Sequence, residues 1–483
     1  MKNYLRLTLC LLSALVLLLT CACTQQETID PPTQTTTPVV DMRDEENYEA
    51  ILSYIQAHPD ETVIYDVTLG SKDYDPETDV ALSYTAEETP YEDLLNNLKY
   101  LPNITKLDLP DTGLTGQQMA ALKEANPHVE ITYTVSMNGQ PLDLNTTEMD
   151  LSGMTADQIP IVATKISLLP QLQQVQLMAA DGTSQLSKAD VKALQQACPD
   201  VLFLYSFELF GKTISTADER VEYDSVYIGD EGEAQIREAL DILTSCTYFK
   251  ADSCGISSPV MAGIRDDYPN TKVVWRVHCS IFNMLTDEKV LRLTHKVKDE
   301  HVGELKYCTE AVYIDMGHDD YLTDIDFLRY MPDLECIILS GSSISDISAF
   351  ENCKKLVWVE LAFCSQIKDI SVFKDHPTLK YLNISYTGVR DISPIQDVAL
   401  ERFNCMNNRI GADAQNTFTS AHPDCIALFA GKQPYGYGWR YNDNGYTFFE
   451  YYANMRKYFR YGEPGYVGNQ KGKETPATYL IID

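Results

Sequence analysis

Basic residues are scarce in this 483-residue chain, where 38 Lys and Arg stand against 70 Asp and Glu for a formal net charge of −32. A phosphate backbone is held by a Lys/Arg-rich face, and no basic cluster interrupts the acid excess, so nucleic acid is not expected as a partner. Long apolar runs are also few. The most apolar one, from Leu7 to Leu19, spans about 13 residues where a membrane-crossing helix needs roughly 20, so no retained span is expected. Catalytic signatures are missing too: no HExxH, GxSxG or GxxxxGK[ST] occurs and the eight histidines are scattered, so no enzymatic activity is expected and no catalytic residue is nominated. The 13 cysteines form no CxxC pair, which argues against a structural zinc site. Asp73, Asp75 and Asp79 make an acidic loop without the glycine and terminal glutamate of an EF-hand. His318-Asp319-Asp320 falls in a turn where polar residues belong, so neither metal nor cofactor is expected.

What is present begins with an export signal. A short basic start, Met1 to Arg6, leads into the apolar run, which closes on Thr20-Cys21-Ala22-Cys23. The small residue ahead of a cysteine resembles the lipobox of bacterial lipoproteins. That resemblance implies removal of residues 1–22 and acylation of the Cys23 thiol, with Cys21 as the alternative acceptor. Residues 24–45 are rich in Gln, Thr, Pro and acids and cannot bury enough surface to order themselves. They predict a disordered tether over 23–45 that lifts a folded body off the outer face of the cell membrane, the lipid being the only membrane contact.

Two internal periods set the fold. Between Ala311 and Ile410 apolar residues return every 21 to 23 positions, most clearly at Leu334, Ile337, Leu339, Ile344, Ile347 and Phe350. The next copies run Leu356, Val359, Leu361, Ile367, Ile370, Phe373 and Leu379, Leu382, Ile384, Val389, Ile392, Ile395. Alternating apolar residues make a short strand with one buried face, and apolar residues three apart make a helical or 3-10 return. One such coil cannot bury its own face, but stacked coils can. Asp319, Ser342, Cys364, Thr387 and Asn408 occupy one small polar position of the coil, and Asp-Ile-Ser recurs at 346–348, 369–371 and 391–393. These features resemble the short leucine-rich repeats of the internalins. The resemblance implies an α/β leucine-rich-repeat solenoid, with a parallel sheet inside and helical or 3-10 returns outside, that recognises a protein partner or mediates adhesion.

The second period is longer. Pro59, Pro127, Pro199 and Pro269 are each followed six residues on by an aromatic, Tyr65, Tyr133, Tyr205 and Trp275, and two further by Val67, Val135, Phe207 and Val277. Proline ends a helix and the alternating residues start a strand. Ile104, Leu107, Leu109, Thr112, Leu114 share the spacing of Cys246, Phe249, Ala251, Cys254, Ile256. Residues 46–300 therefore read as long irregular coils of the same solenoid, a separate α/β domain being the alternative; 301–430 are the regular repeats. Pro423 with Phe429 marks one more partial copy. The ten cysteines from Cys198 to Cys425 fall mostly on core positions and are expected as free, buried thiols.

Strand residues between the buried leucines point to the opposite face. One column holds Tyr313, Cys336, Trp358, Tyr381 and Arg402, and its neighbour holds Asp315, Ile338, Glu360, Asn383 and Asn404. Exposed rings and arginines in adjacent rows suit a binding hot spot, so Tyr313, Trp358, Phe363, Tyr381, Tyr386 and Arg402 are the candidate contact residues for a protein ligand. Residues 431–483, crowded with Tyr and Gly, are expected to cap the end of the solenoid, or else to form an aromatic site for a ligand such as a sugar. A structural role in envelope assembly and a glycan-directed role are the remaining alternatives.

Overall fold

The computed structural model describes residues 37–475 apart from 138, 143, 443 and 444, so Cys23, the export signal and most of the tether lie outside it. The chain forms two compact units, one ending at Thr134 and the other beginning at Val135. This division falls inside the segment 46–300 that the sequence reads as one block.

In the first unit the helix Tyr48–Ala57 opens with the Asn47 side chain accepting from the Ala50 amide. It stops at His58, which has φ −128° and ψ 66°. The following proline bars the α conformation there, and the chain leaves as the strand Thr62–Ile64. That strand pairs in parallel with Val39–Asp41, so the expected tether ends several residues early. Two adjacent valines give the stretch strand propensity and an apolar side chain to place. A hairpin follows, Val67–Leu69 with Lys72–Tyr74. Next comes a parallel three-stranded sheet of Ala81–Ser83, Lys106–Leu109 and Glu130–Tyr133.

The second unit repeats the plan. A hairpin (Val135–Met137 with Gln140–Leu142) precedes the parallel strands Glu148–Asp150, Gln174–Gln176 and Leu202–Leu204. Another hairpin, Ser206–Leu209 with Lys212–Ser215, precedes Arg220–Asp224, Tyr248–Asp252 and Lys272–Cys279. The helices ahead of Pro127, Pro199 and Pro269 end at Asn126, Cys198 and Tyr268 with backbone angles close to those of His58. Val67, Val135, Phe207 and Val277 are buried; the first three lie on the first strand of each hairpin, and Val277 lies where Lys272–Cys279 pairs antiparallel with Phe282–Leu285. The 70-residue period is thus a β-α-β-α-β coil closed by a hairpin, an element the sequence reading did not contain.

From Val290 the coils shorten. Seven strands in chain order, Val290–Arg292, Tyr313–Asp315, Cys336–Ile338, Trp358–Glu360, Tyr381–Asn383, Arg402–Asn404 and Ile426–Leu428, form one wholly parallel sheet. It starts one strand before the expected boundary at 301. Ile337, Val359, Leu382 and Phe403 stand in one register row, each wholly buried, and Leu339, Leu361 and Ile384 form the next. Truncating such a residue to alanine costs roughly 2–5 kcal/mol. Five returns are 3-10 stretches, Asp299–Tyr307, Asp326–Tyr330, Ser348–Asn352, Ser371–Phe373 and Ser393–Ile395, and the last is the helix Ala412–Ala421 ahead of Pro423.

The repeated polar residues have defined duties. Asp346, Asp369 and Asp391 each accept the amide two residues on, at 2.8, 2.8 and 2.9 Å, opening the 3-10 turn. Asn408 donates to the Ile384 carbonyl at 2.7 Å and accepts the Thr387 amide at 3.0 Å, stitching one turn to the last. Ser342 and Cys364 both donate to the Leu339 carbonyl. The ten cysteines from 198 to 425 are free, and burial pushes Cys279, Cys353 and Cys405 up to about 12.

Candidate interaction face and the strap across it

The expectation of an open ring-studded face is corrected by the C-terminal segment. Trp358 is wholly buried, and Tyr313, Tyr381 and Arg402 are 6, 5 and 8% exposed. Residues 432–475 do not cap the end of the repeats. After the last strand they turn back and run along this face as a strap, reaching upstream of the first strand of the seven.

Rings bind the strap to the column. Trp439, itself wholly buried, lies 4.4 Å from Trp358 between centroids, and Tyr451 and Tyr452 stack on Trp358 at 5.9 and 5.8 Å. Tyr313 meets Tyr458 at 4.8 Å. The helix Glu450–Tyr458 supplies most of these contacts, with Met455 against Cys336. Such aromatic pairs contribute about 0.5–1.5 kcal/mol each beyond the area they bury.

The neighbouring polar column anchors the strap by hydrogen bonds. Glu360, wholly buried, accepts the Trp439 indole N–H at 2.6 Å and is ion-paired with Arg440. Asn383 and Asn404 both donate to the Pro434 carbonyl, at 3.0 and 2.8 Å. Arg402 donates to the carbonyls of Trp439 and Tyr441, and Asp315 accepts the Tyr461 hydroxyl. Burial pushes the Asp315 carboxyl up, against the pull of that hydroxyl and the Gly317 amide. At the far end Asn469 accepts the Arg292 amide at 2.6 Å and donates to the Val290 carbonyl at 2.9 Å. Arg276, clamped on Asp252, also reaches Glu474 at 2.8 Å.

Two nominated residues stay accessible. Phe363 is 43% exposed, Tyr386 is partly exposed, and the rings stack at 4.5 Å. Both have positive φ, +65° and +58°, as do His295, His318, Gly341 and Asn407 at the matching positions of neighbouring coils. The amides of His318, Gly341, Phe363 and Tyr386 each donate to a carbonyl of the next coil at 2.8–2.9 Å. That ladder offsets part of the roughly 1–3 kcal/mol a bulky left-handed residue costs. The outcome is an edge column of exposed side chains: His295 stacked on His318 at 4.9 Å, a gap at Gly341, then the Phe363–Tyr386 stack and Asn407.

The sequence reading missed Trp439, Arg440 and Tyr452 as the cover of the face, although the crowding of tyrosines after 431 was the visible signal. It missed the two histidines of the edge column, whose left-handed backbone has no marker in a sequence lacking glycine there. Asp75 and Asp79 turn their carboxylates onto their own loop, on Glu77 N and Asp75 N at 2.9 Å.

No protein-family model matches the chain, and no curated protein matches it. Among solved structures it is similar to an internalin, inlF, of Listeria monocytogenes, with 16% identity over 80% of this chain and 89% of that one at a TM-score of 0.26. Internalin C2 of the same species aligns with 15% identity over 31% of this chain and 74% of that one, TM-score 0.21. A leucine-rich-repeat protein of Leptospira interrogans aligns with 12% identity over 69% and 92%, TM-score 0.25. At TM-scores this low the likeness adds nothing to the strand register, which carries the leucine-rich-repeat arrangement by itself.

Proposed function

We propose that the chain is a non-catalytic binding protein of the cell envelope, a leucine-rich-repeat solenoid tethered to the outer face of the membrane by lipid on Cys23. Its ligand is another protein, and the contact surface is the edge column rather than the strapped face. The observation that carries this reading is the Phe363–Tyr386 stack, two large rings held in a costly backbone conformation and left partly in solvent. Rigid rings lose little entropy on contact, which is why they serve as anchors of protein interfaces. The acid excess keeps nucleic acid away from the same surface.

The test is a pull-down with the full chain against bacterial and host extracts. A Phe363→Ala/Tyr386→Ala variant with unchanged melting is expected to lose at least tenfold in retention of whichever protein the parent retains. Equal retention by parent and variant would remove the edge column as the contact surface. Release of the parent from bacterial membranes by a Cys23→Ala/Cys21→Ala change is expected, and persistence of membrane attachment would reject the lipid anchor.

A further inference from the structure

Between the strap and the carboxyl-terminal edge of the first strands lies a cavity of about 300 Å³, walled by Arg292, Asp315, Tyr435, Arg440, Tyr452 and Arg456. His295 and His318 stand at it, and Thr294 and Ser340 add hydroxyls. Three guanidinium groups meeting in one hollow is unusual in a chain with a net charge of −32. Their charges are not equally spent. Arg440 is paired with Glu360. Arg292 gives its Nη1 to the Phe459 carbonyl at 3.2 Å, and the nearby Asp315 carboxyl is pushed toward its neutral form by burial. Arg456 lies over the Phe448 ring at 4.4 Å and near Tyr461 at 5.7 Å, beside the Tyr452 hydroxyl. Among the described residues no carboxylate lies within ion-pair distance of it. A partly buried cation without a counter-ion is costly, and an anionic ligand removes that cost.

We infer that this cavity binds a carboxylated sugar residue, of which a hexuronate is the smallest form. A planar guanidinium matches a carboxylate through two parallel hydrogen bonds. Guanidinium groups lie over the rings of Tyr435, Tyr452 and Tyr461, so the apolar side of a sugar ring meets the exposed imidazoles of His295 and His318, and the Thr294 and Ser340 hydroxyls suit its hydroxyl groups. The carboxylate sits against Arg456, with the ring toward His318 and the cavity mouth. This site adjoins the edge column, sharing His295 and His318 with it, but its Arg456 and its strap tyrosines lie outside that column, so it is tested apart from the Phe363–Tyr386 stack.

The test is calorimetric titration of the purified full-length chain with sodium glucuronate, with glucose and with inorganic phosphate at fixed ionic strength. Glucuronate is expected to saturate with a dissociation constant near about 1 mM, the value for a ligand of about thirteen heavy atoms at ordinary efficiency. Glucose and phosphate are each expected to bind at least tenfold more weakly. Arg456→Gln is expected to weaken glucuronate about tenfold to a hundredfold with unchanged melting, and Arg456→Lys, which keeps the charge but not the fork, by an intermediate factor. Absence of saturation by glucuronate overturns the inference. So does equal binding of glucose, which removes the carboxylate, or of phosphate, which removes the sugar. Binding by Arg456→Gln within twofold of the parent overturns it as well, and should that variant fail to fold, unchanged binding by Arg456→Lys decides against it. Loss of protein retention in the Phe363/Tyr386 variant with glucuronate binding intact separates the two sites.

Discussion

Replacing Trp439 by alanine is the sharpest probe of the strap. The indole is wholly buried, lies 4.4 Å from Trp358 and donates to Glu360 at 2.6 Å. A tryptophan removes up to about 250 Å² from water, which at roughly 25 cal/mol per Å² sets a ceiling of about 6 kcal/mol. Truncation of buried tryptophans costs about 3–5 kcal/mol, since the site relaxes in part. Glu360 keeps its ion pair with Arg440, so its carboxylate is not stranded, and only the single hydrogen bond is forfeited. Docking of the strap is therefore expected to weaken by about 4 kcal/mol, a factor of roughly a thousand in its local opening. Two compact units make a single global unfolding free energy ill-defined, so hydrogen exchange is the proper assay. The Phe449 and Phe459 amides, bonded within the strap to Arg440 and Met455 carbonyls, are expected to exchange about a thousandfold faster. The Leu361 amide, bonded to Asn383 across the sheet, should change by less than tenfold. Acceleration of strap amides below tenfold, or equal acceleration of Leu361, would refute the picture of a separately docked strap.

Four further outcomes follow from the same geometry. Gly468 has φ +148°, and a β-carbon there would stand 2.4 Å from both the Arg292 carbonyl oxygen and a Phe282 ring carbon; Gly468→Ala should loosen residues 466–475, read as new protease cleavage confined to that stretch. Asp319 sits where Asn408 stands four coils later, burial pushes its carboxyl up to about 7, and its Oδ2 is buried without a partner. A carboxyl raised in the fold contributes stability below its unfolded value near 3.8 that is lost as pH rises through 7. Asp319→Asn should thus raise the melting temperature at pH 8 and leave it nearly unchanged at pH 4; a variant less stable at pH 8 would contradict the assignment. Asp252 behaves oppositely. Burial opposes its charge, but Arg276 holds it at about 2, so its contribution of about 2 kcal/mol is present above pH 4 and fades as pH falls toward 2. Thiol titration at pH 8 should label few of the ten cysteines in the native chain and all of them in denaturant, since burial raises most of them.

The strand rows were legible because the coil repeats its own constraint. Leu339, Leu361 and Ile384 recur at the spacing of one turn, and nothing but stacking puts all of them out of water. The Asp-Ile-Ser copies were legible for the same reason, each aspartate closing the same turn on the same amide. The hairpins of the 70-residue coils were not, because they add an antiparallel pair after a strand whose parallel partner is far away in the chain. A local alternation of apolar residues reads the same in both. Val39–Asp41 escaped for a related reason: three residues become a strand only through a partner at Thr62–Ile64.

The face columns show where side-chain alternation stops being informative. Period two states on which side of the sheet Trp358 and Glu360 lie, and both are on the side expected; it does not state what else lies there. A column of Trp, Tyr and Arg beside one of Asp, Glu and Asn is what a wet interface for a partner would carry. It is equally what a segment of the same chain needs, rings to fill the volume and polar groups to meet the backbone of a crossing strap. The two cases differ only in the sequence of the cover. Here that sequence was in view: Pro434 offers a carbonyl and Trp439 an indole N–H to the polar column, and the helix Glu450–Tyr458 brings Tyr451, Tyr452 and Met455 to the rings. A Tyr-rich tail with too many aromatics to leave in water, following a sheet with a ring-lined open face, is complementary to that face in both apolar volume and polar count. Among the described residues this pairing leaves Phe363 and Tyr386 only partly covered and Arg456, set over Phe448, without a carboxylate partner, and these are where an external ligand has something to gain.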